Sequence, residues 1–482
     1  MFLKEKFTAD GLFEKLKARL VAGGNQQDKE LYENLASPTA ATSSVMVVAA
    51  IAAAERRQVM TIDVGGAFLN ADITTIGITV HVRLDPVMTK LLVEIAPEYQ
   101  HYVDDRGTCL VQLDKAMYGC VEAAALWFDN LSGVLTADGF VANPHDCCVF
   151  NKNGPDGKQI TLCLHVDDIL ATSATQKNLD LFREYLTSVY PTVTHRQGRV
   201  VNYVGMTFDF TTDGEARVTM EHCVKDILHG CGVLRPRSTP AAPDLFEIRK
   251  DAEKASSVDA KYFHTYVCKM LYLSKRVRPE CLGAVSFLST RVQDCDSDDL
   301  RKLERLLGYL VGTPERGIVL RVGEQMSVRA YIDAAYGVHT ASGKSHSGCV
   351  ITLGEAGPVF VRSAKQKIVT KSSTESELVG LSDNASQALH LRNFVIAQGY
   401  DVGPAILYQD NMSTMALMKR GGPGSERSRH INIRHFWLAE RVEEGEAVVE
   451  HLSTTEMWAN ALTKPTQGAQ FVRERAGLTN WD

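Results

Sequence analysis

The segment ITLCLHVDDILATS, residues 160–173, sets two adjacent aspartates, Asp167 and Asp168, between two apolar runs. Its length suits a strand, a tight turn and a returning strand, which would hold both carboxylates at the tip of a β-hairpin. Desolvating two carboxylates there is costly unless a cation is bound. Adjacent Asp residues are also ordinary turn formers, so the pair alone leaves a plain turn open. A second strand bears on the choice. QVMTIDVGGAFLN (58–70) carries Asp63 at its end, about a hundred residues earlier in the chain. If the two strands are neighbours, three carboxylates meet at one sheet edge, a site for two divalent metals in phosphoryl transfer.

Composition bounds the alternatives. A chain of 482 residues is too long for one core and suggests two to four domains. A hydrophobic content of 45% and a charged content of 23% describe an ordinary globular protein. The formal net charge of −6 gives no global basic signature, so any nucleic-acid surface has to be a local patch. The cysteines are scattered, without a CxxC pair or a preceding signal peptide, and read as reduced intracellular thiols. The apolar run 45–54 is about half the length needed to span a bilayer and predicts a buried helix. His222, Cys223, His229 and Cys231 lack a second pair at standard spacing, so no zinc site is expected.

The strongest signal is an ordered series of blocks: TIDVGGAFLNADI (61–73), DKAMYGCVEAAALWFDNL (114–131), LHVDDILATS (164–173), YVGMTFDF (203–210) and VCKMLYLSKRVRPECLGAVSFLS (267–289). In order and spacing they resemble the reverse transcriptase of copia-type LTR retrotransposons. Together with C-terminal blocks, the resemblance runs from about Lys15 to Pro465. It implies an α+β and α/β multidomain chain: a right-hand polymerase (fingers, palm, thumb) followed by a ribonuclease H-like domain. The expected divisions are fingers and palm over 1–245, a mainly helical thumb or connection over 246–320, ribonuclease H over 321–465, and a C-terminal tail over 466–482. In the palm, Asp63 and Asp167 would bridge the metals with Asp168 as a supporting carboxylate. Lys17 and Arg19, in LKARLVAG (16–23), match a fingers-strand K-x-R whose cations grip the incoming triphosphate. Phe68 falls where the family puts a bulky side chain beneath the sugar, excluding a 2′-hydroxyl by size.

Two blocks depart from the family. MYGCVEAAALW stands where LYGLKQAPRAW is usual, so Glu122 replaces Gln and Ala125 replaces Arg. A carboxylate near the triphosphate path is repulsive unless a metal or Lys screens it. His165 replaces the Tyr of YVDD, which makes the charge beside the metals depend on its environment.

Beyond the polar, Pro-containing stretch after Pro240, residues 258–312 read as helices, with Leu303, Leu306, Leu307 and Leu310 at helical spacing. SVRAYIDAAYGV (327–338), HSGCVITLG (346–354) and PVFVRSAKQ (358–366) then read as three strands, with Asp333 in the first. A helix from about 370, a strand reaching Asp410, a strand AVVEHLST (447–454) and a helix EMWANALTKP (456–465) follow. This βββαβ…α order with acids at strand ends is the ribonuclease H arrangement. IDAAYG, SSTESELVGL, QDN, RHINIRHFWLAE and ANALTKP resemble the copia-type ribonuclease H blocks.

Glu375 and Glu377 both fit capping boxes and both flank the apolar stripe of the helix. The family's E-x-E pattern favours Glu377, which joins Asp333 and Asp410 as implied metal ligands. Asn460 stands where related chains carry a fourth acid. Its carbonyl can face a metal but brings no charge, so the second metal should bind weakly and RNA hydrolysis should be impaired. GGPGSERSRHINIRH (421–435) gathers Arg427, Arg429, His430, Arg434 and His435 into a basic loop suited to the phosphates of an A-form-like hybrid, and Lys365, Lys367 and Lys371 extend it.

The resemblance implies an RNA-directed DNA polymerase with an attached ribonuclease H. Its cofactors would be Mg2+ or Mn2+, two per active site, with no zinc. Its partners would be an RNA template, a primer, an RNA–DNA hybrid, deoxynucleoside triphosphates and other Pol and Gag products of such an element. No Gag-like, protease or integrase segment is visible, so the sequence reads as the C-terminal portion of a longer Pol polyprotein or a remnant of one. The expected location is intracellular and cytoplasmic, within virus-like particles, with no membrane partner. The competing class is a decayed or domesticated retroelement fragment that binds nucleic acid without copying it. Glu122, His165 and Asn460 favour decay, and the three palm aspartates favour activity.

Overall fold

The computed structural model describes residues 1–7, 13–32, 35–419 and 429–481. Strands Gln159–His165 and Asp168–Ser173 pair antiparallel with His165 opposite Asp168, so Val166 and Asp167 form a two-residue turn. Strand Gln58–Val64 lies on the other side of Asp168–Ser173, with Asp63 opposite Asp168. These three sit inside a six-stranded antiparallel sheet whose order is Val193–Gln197, Gln58–Val64, Asp168–Ser173, Gln159–His165, Asp146–Asn153, Val141–Asn143.

Both faces of the central strands are covered, which is why those strands read as nearly continuous apolar runs. Successive strand side chains point to opposite faces. Met60, Ile62, Val64, Leu162, Leu164 and Ile169 join helices Ala123–Ala137 and Gln176–Val189 in one cluster through Trp127, Leu131, Phe182 and Leu186. The alternate positions Val59, Cys163 and Leu170 face a second cluster together with helix Thr42–Ala54. That helix has no polar face along its central turns: each of residues 45–53 is at most 4% exposed. A helix apolar all round belongs inside a large core, and this one also meets strands of two further sheets.

A four-stranded antiparallel sheet takes three strands from Val200–Tyr203, Met206–Asp209 and Ala216–Thr219, and its fourth, Ile318–Leu320, only after helices Ser257–Ser274, Leu282–Ser289 and Ser297–Gly312 have intervened. The last of these helices is started by a capping box of Asp296 and Asp299. In the five-stranded sheet the order is Pro358–Lys365, Lys344–Leu353, Val328–His339, Ala405–Gln409, Ala447–His451. Its first three strands are antiparallel and the last two join in parallel. This is the ribonuclease H-like order, and helix Ser373–Ala397 packs on it.

One of the core clusters links the three larger sheets. A single cluster of buried apolar side chains extends from Val45 to Phe471. Polar contacts reinforce the junction of the first and last sheets. The Arg57 guanidinium, 4% exposed, donates to Glu55, Thr161, Gln159 and the Tyr400 hydroxyl, and that hydroxyl donates to Glu55 at 2.7 Å. Gln159 Nε2 in turn reaches the Gln398 carbonyl at 2.7 Å.

Two expectations need correction. The helix expected over 456–465 is a short 3-10 turn, Trp458–Leu462, because the Asn460 amide bonds the Thr454 carbonyl and Pro465 follows at once. The tail expected over 466–482 contains a packed helix, Gly468–Thr479, that buries Phe471 and Leu478. Among the described residues no helix is long and apolar enough to cross a membrane.

Candidate active sites

The hairpin turn is strained. Val166 adopts φ +59°, a left-handed conformation that a β-branched residue enters only at a cost of about 1–3 kcal/mol. Two hydrogen bonds hold it there. The Trp127 indole N–H donates to the Val166 carbonyl at 2.6 Å, and the Val64 N–H donates to the Asp167 carbonyl at 3.1 Å. Trp127 is 1% exposed, so its donor has no competing water. The result fixes Asp167 in the turn beside the paired Asp63 and Asp168.

The three charges are felt by the most enclosed of them. The Asp168 carboxyl is pushed up to about 6 by burial and then by its neighbours Asp167 and Asp63. His165, one step before the turn, is pushed down from its ordinary value by burial, with Arg276 adding to the effect and Asp167 opposing it. It is therefore neutral near pH 7.

A second carboxylate group lies on the five-stranded sheet. Asp333 comes from the central strand, Glu377 from the first turns of helix Ser373–Ala397, and Asp410 from just beyond strand Ala405–Gln409. One carboxylate oxygen from each lies within 4.8 Å of the other two, the one such trio of metal-binding side chains among the described residues. Burial, then Asp333 and Asp410, push the Glu377 carboxyl well up, and Lys464 opposes them. Glu375 has different work: its carboxylate accepts from the Lys371 N–H at 2.7 Å and its own N–H donates to the Ser372 hydroxyl. The cap and the cluster residue, which spacing could not separate, are thus separated by geometry. Asn460 is 1% exposed and lies beside the trio through Lys464, whose Nζ reaches Asn460 Oδ1 at 3.0 Å and Asp333 Oδ1 at 3.1 Å.

Residues 3–238 match the family described as reverse transcriptase (RNA-dependent DNA polymerase). Over that stretch, which takes in Asp63, Asp167 and Asp168, the chain is similar to reverse transcriptases. It is 28% identical over 473 residues to the retrovirus-related Pol polyprotein from transposon RE1 of Arabidopsis thaliana, covering 97% of this chain and 30% of that protein. It is 23% identical over 485 residues to the Pol polyprotein from transposon TNT 1-94 of Nicotiana tabacum, covering 98% and 35% respectively. The chain thus spans about a third of the length of these curated relatives. Similar solved structures include a ribonuclease H1 from Halobacterium salinarum, with TM-score 0.20, 17% identity and coverage of 29% of this chain and 91% of that one. Another is the prototype foamy virus protease-reverse transcriptase, with TM-score 0.24, 10% identity and coverage of 93% and 49%. Superpositions this loose carry no weight for mechanism.

Within residues 3–238, two of the residues expected to meet substrate converge on a third that the sequence does not single out. The Arg19 guanidinium lies 5.7 Å from the Tyr118 ring centroid, and Phe68 meets the same ring edge-on at 4.6 Å. Burial, then the field of Asp167, raise the Tyr118 hydroxyl, Arg19 opposes, and Asp63 adds to the rise. Tyr118 therefore lies within the field of both the cation and the carboxylates. Lys17 is half-buried on the same strand, Phe13–Arg19. Glu122 faces inward: it is 2% exposed and its carboxylate accepts from Gln27 at 3.0 Å. Arg427 lies outside the described residues. Arg429, His430 and Arg434 belong to helix Arg429–Glu443, and their side chains, with that of His435, lie outside the described set.

Proposed function

We propose that this chain copies RNA into DNA, joining a primer 3′-hydroxyl to the α-phosphate of a deoxynucleotide with release of pyrophosphate. The register that puts Asp63 opposite Asp168, with Asp167 in the adjoining turn, is the observation that carries the reading. Divalent metal suits the C-terminal trio by geometry, and the carboxyls of Asp168 and Glu377 are each pushed up first by burial and then by neighbouring carboxylates, a charge a cation would offset. Asp63, Asp167 and Asp168 would hold Mg2+ or Mn2+ in the first group, and Asp333, Glu377 and Asp410, with the Asn460 carbonyl, in the second. Bound there, such ions would supply the activated attacking oxygen and the stabilised leaving oxygen of phosphoryl transfer.

The chain's own residues do the rest. Arg19 and Lys17 bind the triphosphate. Phe68, braced against Tyr118, fills the space a 2′-hydroxyl would need. The C-terminal trio cleaves the RNA of the hybrid, weakly, because Asn460 brings no charge. Arg427, Arg429, His430 and Arg434 bind hybrid phosphates in a salt-sensitive way. In this reading residues 1–245 are fingers and palm, 246–320 thumb and connection, and 321–465 ribonuclease H. The protein works in the cytoplasm, in virus-like particles, with other Pol and Gag products of its element.

A retroelement remnant that binds nucleic acid without copying it is the second reading, and Asn460 is what favours it. Primer extension on an RNA template, beside an Asp167→Asn chain, separates the two. Extension lost on that substitution supports the polymerase. No extension by the unaltered chain in either Mg2+ or Mn2+ supports the remnant.

A further inference from the structure

Asp333 is 1% exposed, yet both of its oxygens are already engaged by the protein. The Thr463 hydroxyl donates to Oδ2, and Lys464 Nζ lies 3.1 Å from Oδ1. The same ammonium reaches Asn460 Oδ1 at 3.0 Å. It therefore bridges the central carboxylate and the position where a fourth acid would otherwise stand. Asn460 is oriented for this: its Nδ2 donates to the Thr454 carbonyl at 2.9 Å, which turns its oxygen towards Lys464. The Thr454 hydroxyl closes the ring by donating to Asp410 at 2.9 Å.

Charge counting makes the arrangement informative. With Glu377 ionised, as a bound cation would hold it, Asp333, Glu377 and Asp410 contribute three negative charges and Lys464 one positive, leaving two, which a single divalent ion neutralises. A fourth acid would leave three, one more than a single such ion neutralises. A neutral carbonyl oxygen at Asn460 accepts from an ammonium without adding charge. An ammonium also differs from a metal in kind, since it offers only donors and no coordination position for a substrate oxygen.

We propose that Lys464 is a tethered cation that competes with divalent metal at this cluster: seated, it limits the site to one ion, and swung out, it admits a second. The inference rests on the ribonuclease H reading of the trio. Movement is available to it, because the Lys464 side chain is 44% exposed on a flexible stem. Leaving requires breaking the contacts to Asp333 and Asn460, and the oxygens it frees are those a second ion would take.

Mn2+ binding to the full chain tests this, measured by titration calorimetry and by the paramagnetic signal of free Mn2+. Asp63→Asn and Asp167→Asn are introduced throughout to weaken the polymerase site. The parent should bind one Mn2+ that Asp333→Asn abolishes. Lys464→Met should bind two, the first at least tenfold more tightly than the parent does, and should melt at a lower temperature than the parent when metal is withheld. Lys464→Arg should keep the one-ion stoichiometry. Should Lys464→Met fail to fold, Lys464→Gln carries the same expectations. Unchanged stoichiometry and affinity in the uncharged variant, with binding still lost in Asp333→Asn, overturns the tethered-cation proposal and leaves the metal site standing. Binding indifferent to Asp333→Asn overturns the metal reading itself, and the proposal with it.

Discussion

Mild acid should loosen the C-terminal sheet through two histidines that fold only when neutral. His339 is 5% exposed and His346 fully buried, with His339 Nε2 2.9 Å from His346 Nδ1. His346 Nε2 lies 2.7 Å from Ser363 Oγ, and the Ser363 hydroxyl donates to the Leu462 carbonyl at 2.7 Å. That last bond uses the single Ser363 hydroxyl proton, so Oγ accepts from His346, and His346 Nδ1 is left to accept from His339. An added proton on His346 would aim two N–H groups at each other. Phe246 packs on both rings and Phe287 on His339, offering no counter-charge, and Lys365 is the charged group in range. Burial is the main cause that pushes His339 down to about 4 and His346 down to about 3, with Lys365 adding to both.

The sign comes from linkage. With the folded values depressed, the unfolded chain binds these protons first, so the stabilisation is complete above about pH 6.5 and drains away as pH falls. One unit is worth about 1.4 kcal/mol per histidine, so a fall to about pH 5 removes ~2 kcal/mol for each and ~4 for the pair. Against a typical total of about 5–15 kcal/mol, that is a large share. Urea unfolding at about pH 7.5 and about pH 5, of the unaltered chain and of His339→Gln/His346→Gln, isolates the effect. Carboxyls that burial pushes up, such as those of Asp168 and Glu474, act in the opposite direction and are common to both chains. The stability gap between the chains should narrow by about 4 kcal/mol on acidification. A gap that stays constant refutes the argument.

Trp127→Phe keeps an aromatic ring but strands the Val166 carbonyl, so stability should fall by about 1–3 kcal/mol and single-nucleotide extension should slow more than nucleotide KM rises. Phe68→Ala should let ribonucleotides in, read as a rise of at least about tenfold in the ratio of ribonucleotide to deoxynucleotide kcat/KM. Asn460→Asp should lower the Mg2+ concentration needed for hybrid cleavage. It should also cost about 1–3 kcal/mol in a melt without metal, because it turns a carboxylate oxygen towards the Thr454 carbonyl.

Much of this arrangement is legible in the sequence because the informative residues are local. The two-residue turn of the 160–173 hairpin follows from strand length and polarity, and the βββαβ order is written in the spacing of the last third. What the sequence hides depends on contacts across the chain. Trp127 lies inside a block that resembles the family, but its partner is the carbonyl of Val166, 39 positions on, and a backbone oxygen leaves no mark on the sequence. Tyr118 is likewise visible as a letter, and only its contacts with Arg19 and Phe68 give it a place. Glu122 reads as a charge near the triphosphate, whereas a glutamine 95 positions away holds it inside. The helix Gly468–Thr479 is hidden because its apolar residues are few and its stability comes from the surfaces it docks on rather than from its own periodicity.

Helix Thr42–Ala54 has an evolutionary consequence. Because it supplies side chains to the core beneath the first sheet and also meets strand Pro358–Lys365 and helix Ser373–Ala397, a single altered volume along it is felt by both carboxylate sites at once. A polymerase and a nuclease joined by a linker can decay independently. Here the two carboxylate groups share one foundation, so drift in this apolar helix is exposed to whatever selection either of them meets.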